Sequence, residues 1–149
     1  MRETITAALQ AATKARDARR LSTLRLVSAA IKDRDIAART AGSGQATDAE
    51  LLELLAKMIK QREESQKIYA DAGRTELAQQ EGDEVAIIRE FLPKQLSEED
   101  MTKAIDDAIA ETGAEGVRDM GKVMAVLKSR YAGQMDFGKA SGAVKAKLG

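Results

Sequence analysis

A single proline, Pro93, interrupts the 149 residues, and it sits where the chain offers its clearest stop and restart. Proline cannot continue a helix, and it biases the preceding residue, here Leu92, away from helical geometry. Four residues on, Ser97 with Asp100 forms a capping box, and Glu98, Glu99 and Asp100 occupy a first turn where the helix dipole favours anions. The spacing therefore predicts one helical region over residues 1–94 and a second over 95–149. With no other proline, few β-branched or aromatic residues, and Ala, Leu, Lys, Arg, Glu and Gln in excess, the expected fold class is all-α.

Apolar spacing places the helices. Ile5, Leu9 and Ala12 mark a first helix over about 3–17. A break near Arg19 leads to a second helix, with Leu21, Leu24, Val27 or Ser28, and Ile31 on one face. Residues 40–47, TAGSGQAT, form a mobile small-residue loop. Thr47 and Glu50 start a third, long helix whose seam is Leu51, Leu55, Met58, Arg62, Ser65 and Tyr69, widened by Leu52 and Ile59. Lys60–Glu64 and Glu63–Lys67 are four-apart charge pairs on its outer side. Gly73 stops it, and Thr75 caps a fourth helix that Gly82 weakens. A fifth helix runs to about Thr112, a sixth over 119–131 and a seventh over 136–148. Met101, Ile105, Ala108 and Ile109 face Met120, Val123, Met124 and Leu127, and Phe137, Ser141, Val144 and Leu148, which makes a three-helix lobe. Gly121, Gly138 and Gly142 are expected to let backbones approach closely, and no internal repeat is evident.

Composition removes much chemistry. There is no Cys, His or Trp, so disulfides and Ser–His or Cys–His nucleophiles are excluded, and no zinc or soft-metal site is expected. No P-loop or dinucleotide fingerprint appears. The cluster SEED at 97–100 is a helix start, and Glu63, Glu64 and Tyr69 are a solvated edge and a packing residue. The expectation is no catalytic residue, no metal and no cofactor. The start is charged, and no stretch approaches the roughly 18 apolar residues of a membrane span, so the expected setting is cytoplasmic, with no membrane partner.

The net charge of zero hides segregation. Residues 1–39 carry nine Arg and Lys against four Asp and Glu, and residues 40–96 seven against eleven. Residues 97–116 carry one against seven, and residues 117–149 seven against two. The last block supplies Arg118, Lys122, Lys128, Arg130, Lys139, Lys145 and Lys147, the candidate anion-contacting residues. Asp136 caps the seventh helix, whose N-terminal amides could also meet a phosphate. Aromatic residues are too few for base readout, so a nucleic acid would be contacted through its shape and backbone.

The stretches KMIKQREESQKIYADAGRTELAQQEGDE (57–84), IIREFLPKQLSEE (87–99), DMGKVMAVLKSRYAGQMDFGKASGAVKAKL (119–148) and LRLVSAAIK (24–32) resemble the YqeY family over nearly the whole length. That family's C-terminal part is similar to the tail of GatB, a component of the bacterial glutamyl/aspartyl-tRNA amidotransferase. The resemblance implies an N-terminal helical bundle, a C-terminal three-helix tail lobe, and contact of that lobe with tRNA. It also carries a label, carbon–nitrogen ligase with glutamine as amido-nitrogen donor, for which this chain holds no catalytic machinery. The chain departs from the family tail at Ala125, where a glycine is typical, at Gln134, where an arginine is common, and at Ser141 or Gly142, where an asparagine is common. The expected function is that of a non-catalytic, tRNA-associated accessory protein. The alternatives are a protein-interaction module, docking a partner through the third helix's seam and the Gly138–Gly142 face, and a component of a glutamine-dependent amidotransferase.

Overall fold

The computed structural model describes residues 1–149 and contains seven α-helices and no strand. They are α1 (Arg2–Ala15), α2 (Ala18–Thr40), α3 (Asp48–Asp71), α4 (Thr75–Arg89), α5 (Glu98–Thr112), α6 (Met120–Tyr131) and α7 (Phe137–Leu148), with a 3₁₀ turn, Val117–Asp119, before α6. The chain falls into two compact units, Met1–Leu92 and Pro93–Gly149.

The helix starts follow from side-chain caps. Thr47 accepts the Glu50 amide at 3.2 Å, and Ser97 accepts the Asp100 amide at 3.1 Å. Asp17 caps α2 through the Arg20 amide at 3.1 Å, which puts the break just before Ala18, near Arg19 as the spacing predicts. Thr75 does not cap α4. It is the first helical residue, behind Arg74, which makes no side-chain cap hydrogen bond. Gly73 takes φ 75° just past α3, the left-handed value that glycine tolerates without a Cβ clash.

In the first unit, Ile5, Val27, Ile31, Leu51, Leu55, Met58, Ile59, Val85 and Ile88 form one core. Each full burial of such a side chain is worth about 1.5–3 kcal/mol. The first half of the third helix's seam is therefore inside the bundle, where Leu51, Leu55 and Met58 are buried, while Arg62, Ser65 and Tyr69 farther along are half-buried. Arginines then tie helix to helix. Arg19 meets Asp83 and Arg20 meets Glu90, both at 2.5 Å; Arg62 meets Glu84 at 3.1 Å. Glu63 pairs with Arg89 of α4 at 2.7 Å rather than with Lys67 on its own helix. The 41–47 loop is anchored at its far end. Arg2 donates to both Asp35 oxygens and to the Ala46 carbonyl, while Asp35 accepts the Ala46 amide, and Ala46 itself is buried.

The second unit packs Ala104, Ile105 and Ala108 of α5 against Val123 and Leu127 of α6 and Ala140 and Val144 of α7, with Met135 closing the turn. The segment after Pro93 is held to that turn: the Leu96 amide donates to the Gln134 carbonyl at 2.8 Å, and the Gln95 side chain donates to the Gly133 carbonyl. Gly121 and Gly142 do not play the packing role expected of them. A Cβ added to Gly121 or Gly142 would meet nothing within 4 Å, because both lie on the solvent side of their helices.

Candidate nucleic-acid interface

The seven basic residues of 117–149 are all exposed, but they are not equivalent. The core fixes the facing of each helix. With Val123 and Leu127 turned inward, Lys122 and Lys128 are left on the outer side of α6. With Ala140 and Val144 inward, Lys139 and Lys145 are left on the outer side of α7. Arg118 projects from the 3₁₀ turn.

Two of the seven are already engaged. Arg130 donates to Glu111 of α5 at 2.5 Å, and Lys147 pairs with Asp106 of the same helix. The hydrogen bond from Arg130 holds the Glu111 carboxyl below the usual carboxylate range, and Glu111 in turn raises the Arg130 guanidinium. Arg118, Lys122, Lys128, Lys139 and Lys145 make no ion pair, and they remain as the free cations of residues 117–149.

The start of α7 is occupied from within. Asp136 Oδ1 accepts the Gly138 amide at 2.8 Å and the Lys139 amide at 3.4 Å, so these donors do not await a phosphate. The other acid of the block, Asp119, accepts the Glu115 amide at 3.2 Å. Gln134 is half-buried, and its backbone closes the turn by accepting from Leu96 and donating to Tyr131 at 2.9 Å. At SEED, the Ser97 cap accounts for the cluster as a helix start. No three Asp or Glu side chains converge in a way that would hold a metal ion, and no helix is long and apolar enough to cross a membrane.

Aligning burial along the chain brings out a repeat that residue identity hides. Gly121–Ser129 reads GKVMAVLKS and Gly138–Ala146 reads GKASGAVKA. Only three of the nine positions are identical: the glycine and both lysines. Yet the two stretches share one burial sequence throughout, with the third and seventh residues buried, the fourth and sixth half-buried, and the rest exposed. Leu127 against Val144 and Val123 against Ala140 preserve the apolar class at different sizes. The signal is faint in letters and plain in packing.

The chain matches the model of Yqey-like proteins over residues 2–148. No curated protein matches it. With a match spanning essentially the full length of this all-α chain, the protein belongs to the YqeY family.

Proposed function

We propose that this chain is a non-catalytic, tRNA-associated accessory protein whose C-terminal unit touches RNA backbone. The observation that carries the reading is the set of five exposed, unpaired cations on residues 117–149, where both acids are held by backbone amides. Lysines are point charges suited to phosphates, and the two aromatic residues of the block, Tyr131 and Phe137, pack against the core, which argues against base readout. The resemblance to the amidotransferase tail supports tRNA as the polyanion. The engagement of Arg130 by Glu111 and of Lys147 by Asp106 narrows the contact set to Arg118, Lys122, Lys128, Lys139 and Lys145.

Filter binding of total tRNA across a salt series tests this. The affinity should fall by about two orders of magnitude between roughly 50 and 200 mM salt for about four phosphate contacts. Lys122→Glu/Lys128→Glu/Lys145→Glu should lose most of the binding. No binding at low salt, or binding indifferent to salt and to these substitutions, sinks the reading. Glutamine-dependent amide transfer by the pure protein, expected to be absent, separates it from an amidotransferase.

A protein-interaction role keeps one supporting observation. Ile36 and Ile68 are 59% and 67% exposed, away from the buried seam. A stoichiometric partner retained after RNase treatment would favour that role.

A further inference from the structure

The repeat across α6 and α7 has a geometric consequence for the RNA contact. In each nine-residue stretch the two lysines are six residues apart. On a helix that places them about 9 Å apart along the axis and about 120° apart around it. Lys122 and Lys128 thus straddle the outward side of α6, and Lys139 and Lys145 straddle the outward side of α7. Between them lie only small residues: Gly121, Ala125 and Ser129 on one helix, Gly138, Gly142 and Ala146 on the other, all exposed. The lysines are the tallest features of both faces. Neither stretch contains an acid, an amide side chain or an aromatic residue.

We propose that α6 and α7 present two equivalent backbone-contacting faces, Lys122 with Lys128 and Lys139 with Lys145, each gripping a separate stretch of RNA phosphate. This rests on the RNA-contact reading above and goes beyond it, because it makes the lobe a two-sided clamp rather than a single basic patch. The occupant follows from the chemistry of the faces. A protein partner takes its affinity from buried aromatic or aliphatic anchors, and these faces supply none. A regular polyanion needs only cations it can approach closely. Lysine is a compact point charge suited to a phosphate, and neither nine-residue stretch adds the planar Arg, Asn or Gln group that pairs a base edge with fixed geometry. Arg130 and Lys147, at the edges nearest α5, stay outside the clamp, because Glu111 and Asp106 hold them.

The experiment uses the full chain and total tRNA, with one face neutralised at a time. Lys122→Gln/Lys128→Gln and Lys139→Gln/Lys145→Gln should each lower the slope of log affinity against log salt by about 1.8, two phosphates' worth. At about 50 mM salt each should weaken binding on the order of 100-fold. The four-fold variant should lose the product of the two. The positions are exposed, so thermal melts should match the parent, and Lys→Glu versions of the same pairs should give larger losses in the same ratio. If one pair carries the whole loss and the other leaves affinity and slope unchanged, the two-face clamp is overturned while the RNA-contact reading stands. If the unaltered chain does not bind tRNA, both fall.

Discussion

Residues 1–39 and residues 117–149 carry the same excess of five positive charges, yet the two blocks use it differently. In the first block arginines bridge helices: Arg2 to Asp35, Arg19 to Asp83, Arg20 to Glu90 and Arg34 to Glu50. A planar guanidinium suits such fixed two-partner geometry. In the second block the cations are mostly lysines, and two nine-residue stretches hold no acid at all. A block's net charge therefore says little about partners until one knows which cations are tied down within the fold. Here the first block ties four arginines across its bundle, whereas the second ties only Arg130 and Lys147 and leaves Arg118 and four lysines of two short helices unpaired.

The units also differ in how much core supports them, and the largest expected effect tests that. Leu55 and Leu127 are both fully buried, one in each unit. Cutting either to alanine costs about 2–5 kcal/mol. A single core of some 60 residues supplies about 3–5 kcal/mol in all. Leu127→Ala should therefore unfold the second unit, seen as lost amide protection across residues 93–149 in hydrogen exchange. Leu55→Ala should leave the first unit folded with a lowered melting temperature. Retained protection in 93–149 after Leu127→Ala would show that the contrast in core support is wrong.

A smaller effect separates two helical glycines. A Cβ at Gly142 meets open space, whereas one at Gly82 would sit 2.8 Å from Gln66 Nε2, on the neighbouring α3. Gly142→Ala should stabilise the second unit by about 0.5–1 kcal/mol through helix propensity alone. Gly82→Ala has the same propensity gain, offset by the swing of Gln66, so its melting temperature should move less. A larger gain at Gly82 than at Gly142 would reverse the reading of which glycine has an internal reason to be there.

Much of this was legible from sequence because local rules dominate it. The Thr47, Ser97 and Asp136 caps, the Gly73 stop and the Val123–Leu127 face rest on contacts within a turn or two. What failed were choices made between helices. Glu63 has an acceptable partner four residues away in Lys67, but α4 brings Arg89 to it. Arg130 and Lys147 look as free as Lys122 until the register of α5 supplies Glu111 and Asp106. The lysine repeat was hidden because its core positions exchange Leu for Val and Val for Ala, which keeps burial and discards identity. Thr75 has the right chemistry for a cap, one position late.

The finest contrast lies in two glutamates with opposite pH signatures. Glu111 is held below the usual carboxylate range, first by the hydrogen bond from Arg130. A lowered folded-state value contributes stability above the ordinary carboxylate range of about 4.3, and that stability is lost as pH falls through the folded value. Glu81 is pushed up, first by burial and then by its neighbour Glu84. Its protonated form is the one the fold favours, so it contributes stability at low pH that is lost as pH rises through its raised value. Glu111→Gln should therefore lower the melting temperature at neutral pH, and Glu81→Gln should raise it. Both differences should close as the solution is acidified. Salt discriminates further. Arg130 and Glu111 are 49% and 50% exposed, so about 1 M salt should erase the Glu111 effect. Burial leads the shift at Glu81, and its gain should persist in salt. Melting temperatures that move the same way for both substitutions at neutral pH would break the contrast, because an acceptor engaged by a cation and one crowded by an anion cannot share a sign.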